Sequence, residues 1–207
     1  MSGHFAYFTY LCYTGLVAYM ASSLIHTVLF WRRSTHVSFQ SMPRTLQLFH
    51  WLLFESVVVF AMLVTPVFWA VLYDADTYVG GEHRWLNASV HAANLGCILV
   101  DVVAGSMVLS PHWIHPAILA FVVALYLALA YLNKAINGWF TYNFIDYDRH
   151  HWMVLVYAIG ILAAVVLIYY IIYALQLVLD RLLPPKVSLS SPRPLSSDSD
   201  DDAEFKA

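Results

Sequence analysis

The sequence has few charged residues. Of its 207 residues, 11% are Asp, Glu, Lys or Arg, whereas 61% are hydrophobic. A soluble domain carries about 25% charged residues, so this composition argues against a soluble globular fold. The polar residues fall in blocks between long apolar runs. This pattern predicts an all-α fold: a polytopic membrane helix bundle in which the bilayer covers most of the apolar surface.

Basic residues and cysteines are also scarce, and each scarcity argues against a class of function. Ten Lys and Arg against 13 Asp and Glu give a net charge of −3, without a basic patch. Nucleic-acid binding needs clustered Lys and Arg against the phosphates, so no nucleic-acid partner is expected. Cys12 and Cys97 both lie in apolar runs. There they are expected to be small buried residues rather than a disulfide.

Five apolar segments are long enough to span a membrane as helices. Such a helix needs about 20 residues to cross about 30 Å of hydrocarbon. Pro66 lies within the second segment and predicts a kink or tilt there. The segments belong to one predicted membrane domain of residues 1–183, and they cover residues 5–30, 46–73, 85–109, 114–132 and 151–177.

Charges in the connections predict the orientation of the chain in the plasma membrane or the endoplasmic reticulum. The connection after the first span contains Arg32, Arg33 and Arg44 and no acidic residue, whereas the connection after the second span is acidic. Because Lys and Arg favour the cytosolic side, we expect the N-terminus outside or in the lumen and the C-terminus in the cytosol. Residues 184–207 are rich in Ser, Pro and Asp, which predicts a disordered cytosolic tail.

The third span carries four polar residues that a bilayer core disfavours. At 100° per residue they fall within a stripe of about 80°: Asn87, His91, Asn94 and Asp101. An ionised residue at the bilayer centre costs about 2.5–3.5 kcal/mol, so the stripe is expected to face the bundle. Interhelical hydrogen bonding and a functional site remain open for the two asparagines. For His91 with Asp101 we favour a functional site.

Topology sorts the polar residues of the first three spans by depth. Thr9, with Tyr13 on its face of the first span, lies about 6 Å below the outer end, and His91 lies about 9 Å below it. The two are therefore predicted to meet near the outer leaflet. Asp101 and Glu55 lie about 24 and 27 Å below that end. They are predicted to form a deeper polar layer.

Several short motifs resemble two related families of membrane proteins. "HFAYFTYLCYTGLVAYM", and "WLNASVH" opening a span that ends before "SPHWIHP", resemble the androgen-induced gene family of membrane hydrolases. "HAANLGCILVDVVAG" and "NGWFTYNFIDYDRHHW" resemble the rolling-stone family, named for a myoblast-fusion protein. The resemblance covers most of residues 5–178. Members of these families carry one more helix before the threonine-bearing one, so we expect a shortened form of their pattern with a less enclosed site beside Thr9.

The hydrolase family implies an intramembrane threonine hydrolase that cleaves fatty acid esters of hydroxy fatty acids. By this resemblance Thr9 is the nucleophile and His91 is the base. Such acyl transfer also needs an oxyanion donor, and Asn87 and Asn94 are the candidates, with Tyr13 lining the site. Membrane lipids and a lipid ester are the expected partners, without a metal or other cofactor.

Two alternatives remain open. The rolling-stone resemblance implies a non-enzymatic membrane scaffold, or a cell-fusion or adhesion protein, in which the polar stripe joins helices. A haem or metal enzyme is the other alternative because the chain has 10 histidines, and His26 and His50 are the possible haem ligands.

Overall fold

The computed structural model describes residues 6–33, 42–73, 81–105 and 107–183. These residues are 87% helical and contain no strand. Five helices are long and apolar enough to cross a membrane, which confirms the predicted all-α membrane bundle. The predicted tail, residues 184–207, lies outside the described residues.

The five membrane helices, α1 to α5, follow the order of the predicted spans. α2 and α3 each contain a π-helical segment, and α4 and α5 are joined by a 3₁₀ turn and one short helical turn. The helices are α1 (Phe8–Arg33), α2 (Arg44–Val67 and the π-helical Phe68–Leu72), α3 (Gly81–Ala88, the π-helical Ser89–Ala93 and Asn94–Ala104), α4 (Ile114–Asn137) and α5 (Met153–Leu182).

Three helix ends differ from the predicted spans by about five residues. α5 continues to Leu182 rather than ending near residue 177. α3 ends at Ala104 rather than near residue 109, and residues 107–110 are not helical. α4 continues to Asn137 rather than ending near residue 132. It stops where Gly138 adopts a left-handed conformation (φ +82°), which glycine reaches at no steric cost.

α2 is the central helix of the bundle. Of its most apolar stretch 56% is buried, against 22% for α1 and α4 and 17% for α5. It packs against α1, α3 and α5. The other helices therefore present most of their surface to lipid. Because successive spans alternate in direction, α1, α3 and α5 begin at one end of the bundle, here termed the first face, and end at the second face.

The two π-helical segments lie side by side near the first face. Pro66 has no N–H to continue the α-helical bonding pattern of α2, and the π-helical turn begins at Phe68. The Tyr73 N–H then donates to the Phe68 carbonyl (2.7 Å). In α3 the Asn94 N–H donates to the Ser89 carbonyl in the same five-residue pattern. Short π-helical turns of this kind are frequent at functional sites.

Candidate functional site

An apolar cavity of about 110 Å³ lies inside the bundle near the first face. Its wall comes from α1, α2, α4, α5 and the connection between α4 and α5. Three hydroxyl-bearing side chains interrupt the otherwise aliphatic and aromatic wall, and they are Thr9, Tyr126 and Tyr142. Thr9 is 7% exposed. The cavity therefore offers an apolar volume with one small polar patch.

The three hydroxyl-bearing side chains lie close together. The rings of Tyr126 and Tyr142 have centroids 6.5 Å apart, and Thr9 lines the same wall. The Tyr126 hydroxyl also donates to the Ala6 carbonyl (2.8 Å) and accepts from the Phe8 N–H (3.2 Å), which fixes the first turn of α1. Burial raises the pKa of Tyr142 above its ordinary value, so its phenol stays protonated at neutral pH.

His91 lies on the π-helical segment of α3 and is 5% exposed. Its ring stacks on Phe68 with centroids 3.5 Å apart and planes 5° apart. The Thr65 hydroxyl donates to the His91 carbonyl (2.6 Å). Among the described residues, Nδ1 of His91 has no hydrogen-bond partner.

Two contacts place Thr9 and His91 at the same depth. The Tyr19 hydroxyl donates to Oδ2 of Asp101 (2.7 Å) and so sets the register between α1 and α3, which run in the same direction. Thr9 precedes Tyr19 by ten residues, and His91 precedes Asp101 by ten. Both intervals correspond to about 15 Å of helix. Phe68 also indicates a common depth for Thr9 and His91, because it lines the Thr9 cavity and stacks on His91.

Phe68 contacts both regions that were predicted to be catalytic. One face of its ring is covered by His91, while the side chain also forms part of the cavity wall. The wall contains Thr9 and not His91. In this conformation Nδ1 of His91 contacts neither Thr9 nor any other described hydrogen-bonding group.

The other residues predicted near the site lie outside the cavity wall. Asn94 is 1% exposed, and neither atom of its amide has a partner among the described residues. Asn87 is half-buried. Tyr13 is half-buried and packs against the hydrophobic core. The phenols of Tyr126 and Tyr142, which the sequence analysis did not single out, line the cavity together with Thr9.

Glu55 and Asp101 belong to separate hydrogen-bond networks. Glu55 is fully buried. Its Oε1 accepts from the Tyr169 hydroxyl (2.9 Å) and the Ser110 N–H (3.3 Å), and its Oε2 lies 2.8 Å from Nδ1 of His115. Asp101 instead accepts from Tyr19. The two carboxylates therefore have different hydrogen-bond partners, and their common depth stays a prediction.

Gln176 and Trp51 hold the non-helical segment after α3. The Leu109 N–H donates to Oε1 of Gln176 (2.9 Å), and Nε2 of Gln176 donates to the Met107 carbonyl (3.1 Å). The Trp51 indole donates to the Val108 carbonyl (3.2 Å). Irregular backbone is tolerated at membrane depth only where protein or water satisfies it. The sequence analysis missed Gln176, although a lone amide in an apolar span is a signal that could have found it.

The histidines near the second face pack against one another. The rings of His26 and His50 contact edge to face, with centroids 5.4 Å apart. Nδ1 of His50 lies 3.1 Å from the Ser22 hydroxyl. Direct contact leaves no space for a porphyrin between the two rings. Within the described ranges, no group of three or more His, Cys, Asp or Glu side chains could hold a metal ion.

Fold and site together define a multi-pass helical membrane protein with an apolar cavity between its helices. No family model, curated protein or solved structure matches the chain. The likeness to the androgen-induced gene and rolling-stone families therefore stands on the sequence motifs alone.

Proposed function

We propose that the protein hydrolyses lipid esters inside the membrane, with Thr9 as nucleophile and His91 as base. The observation that carries this proposal is the position of the Thr9 hydroxyl, which lies at the polar patch of an apolar cavity and at the depth of His91. The aliphatic and aromatic wall suits an acyl chain, and the hydroxyl patch suits the ester group of the same lipid.

The cavity also suggests a source of oxyanion stabilisation. A tetrahedral intermediate needs hydrogen-bond donors aimed at its oxygen. The Tyr142 phenol adjoins Thr9 and is neutral at pH 7, since the ordinary pKa of tyrosine is about 10 and burial raises it further. We therefore assign the oxyanion role to Tyr142, because the O–H of Tyr126 is already donated to the Ala6 carbonyl. Asn87 and Asn94, the candidates from the sequence, lie outside the cavity wall.

The reaction needs a change in the position of Phe68. With that ring moved aside, His91 accepts the hydroxyl proton of Thr9, and the oxygen attacks the ester carbonyl. The ester C–O bond breaks, and the alcohol leaves with the proton from His91. Water then hydrolyses the acyl-threonine, which releases the fatty acid and restores Thr9.

A non-enzymatic membrane scaffold is the alternative function. The specific observation in its favour is that Nδ1 of His91 makes no hydrogen bond to Thr9 or to any other described residue. In this case His91 and Phe68 form only a packing contact between α2 and α3.

The decisive experiment measures ester hydrolysis and covalent fluorophosphonate labelling by purified protein in lipid nanodiscs. We expect Thr9→Ala to abolish both signals and His91→Ala to lower hydrolysis by about 10²–10⁴-fold. Thr14→Ala is the matched control, because Thr14 is exposed to lipid and donates to the Tyr10 carbonyl of its own helix (2.8 Å). Folded wild-type protein that neither hydrolyses long-chain esters nor reacts with the probe would overturn the proposal in favour of the scaffold.

A further inference from the structure

A second cavity opens on the lipid-facing side of the bundle between α1, α2 and α4. It has a volume of about 340 Å³. Leu11, Leu125 and Leu129 stand at its rim and are 36%, 53% and 42% exposed. Its wall is apolar apart from Tyr126 and Ser56, and the Ser56 hydroxyl already donates to the Leu52 carbonyl. We term this cavity the lateral groove.

The lateral groove adjoins the Thr9 cavity. Phe8 and Tyr126 line both, and their rings pack with centroids 4.8 Å apart. Along α1 the groove extends from Phe8 to Gly15, a rise of about 10 Å. The pair of rings therefore forms a common wall, with the Thr9 hydroxyl one residue beyond Phe8.

We infer that the lateral groove binds an acyl chain and is the route by which one arm of a two-armed lipid ester reaches Thr9. The route to Thr9 rests on the proposed hydrolase function, whereas acyl-chain binding in the groove does not. All three helices that form the groove are candidate membrane spans, so the medium at its mouth is acyl chain rather than water. An apolar wall without free polar groups favours that occupant over a headgroup or a peptide.

The geometry also defines the substrate class. One apolar arm fits the Thr9 cavity, the other fits the lateral groove, and the ester bond lies at the shared wall beside Thr9. A substrate with two long arms fills both volumes, whereas a short-chain ester needs only the Thr9 cavity. The groove therefore determines chain-length specificity and leaves the chemistry unchanged.

Gly15 is the position at which this inference is tested most directly. A Cβ atom at Gly15 would lie 3.7 Å from Cγ2 of Val57 and 3.9 Å from Cδ1 of Leu53. These are ordinary packing distances, so a Cβ atom fits at Gly15, which itself lines the groove. Gly15→Leu fills the groove, while Ala18→Leu adds the same side chain at an exposed position of the same helix.

The first measurement is lipid retention. Wild-type, Gly15→Leu and Ala18→Leu proteins are exchanged from 1-palmitoyl-2-oleoyl-phosphatidylcholine nanodiscs into detergent, and retained lipid is weighed by native mass spectrometry. We expect wild type and Ala18→Leu to keep one lipid and Gly15→Leu to lose it. Equal retention by the two leucine variants, or no retained lipid in wild type, would overturn the groove as an acyl-chain site.

The second measurement is the rate of hydrolysis of a two-armed long-chain ester and of a short-chain ester. Gly15→Leu should lower the first rate at least tenfold and leave the second unchanged. Equal loss on both esters would overturn the role of the groove in specificity. If the wild type hydrolyses neither ester, the hydrolase proposal fails while the retention result still decides the groove. Leu125→Trp, which fills the groove from α4, replaces Gly15→Leu if that variant does not fold.

Discussion

At the scale of single residues, polar side chains inside the membrane need partners within the protein, because acyl chains provide none. Glu55 is bonded by Tyr169 and lies against His115, and Asp101 is bonded by Tyr19. Hydrogen bonds between helices thus account for both carboxylates. His91 differs from them because its Nδ1 is buried without a described partner and lies behind a single aromatic ring.

Phe68→Ala tests whether that ring controls access to His91. Phe68 is 4% exposed and stacks on His91, so its removal joins the His91 site to the Thr9 cavity. We expect carbethoxylation of His91 by diethyl pyrocarbonate, measured by peptide mass spectrometry, to become several-fold faster. The free energy of unfolding should fall by about 3–5 kcal/mol, which is the usual cost of Phe→Ala in a packed interior.

Phe121→Ala provides the comparison for Phe68→Ala. Phe121 is 62% exposed to lipid on α4, so its loss should leave His91 modification at the wild-type rate. If Phe68→Ala and Phe121→Ala give the same rate, the stacked ring does not shield His91. The mechanism would then need another explanation for the separation of His91 from Thr9.

At the scale of helices and connections, hydropathy predicted the five spans because length and apolar content are local properties of the chain. The position at which α3 ends is not determined by local sequence. Residues 105–110 are apolar enough to continue the span, yet the Leu109 N–H donates to Gln176, 67 residues away in sequence. Glu55 takes the Ser110 N–H in the same way. Such distant partners explain why the predicted end near residue 109 was wrong.

The candidate site, like the helices, was predictable from the sequence only in part. The direction and length of α1 and α3 placed Thr9 and His91 at one depth, and the register set by Tyr19 and Asp101 supports that level. The position of the Phe68 ring was not predictable. Its stack on His91 is a contact between α2 and α3, and the apolar pattern of a single helix does not show which residues of two helices meet.

Gln176→Met tests how the segment after α3 is stabilised. Methionine keeps the length of the side chain but leaves the Leu109 N–H and the Met107 carbonyl without their partner. An unpaired buried polar group costs about 1–3 kcal/mol. We therefore expect the free energy of unfolding to fall by about 2–4 kcal/mol, measured by thermal unfolding in a fixed detergent. Leu177→Met, at a position 41% exposed to lipid, should unfold like wild type. Equal unfolding temperatures for Gln176→Met and Leu177→Met would show that this side chain does not hold the segment.

At the scale of the whole molecule, charge is distributed unequally between the two ends of the bundle. Arg32, Arg44 and Arg181 lie at the second face, each near the end or the beginning of a membrane helix. Asp180 adjoins Arg181 there. The first face instead contains Asp146 and Asp148 together with Lys134 and Arg149, and Arg149 pairs with Asp146 (3.4 Å). Lys and Arg near span ends favour the cytosolic side. This distribution supports a second face in the cytosol and a Thr9 cavity in the outer or lumenal half of the membrane.

Cysteine labelling of cells that express the protein at the plasma membrane tests this orientation. In a background without Cys12 and Cys97, the cysteine of Asn143→Cys, exposed at the first face, should react with a membrane-impermeant maleimide on intact cells. The cysteine of His112→Cys, exposed at the second face, should react only after permeabilisation. The opposite pattern would place the Thr9 cavity in the cytosolic half. A lipid ester would then reach Thr9 from the cytosolic leaflet, because one end of the lateral groove adjoins that cavity at Phe8 and Tyr126.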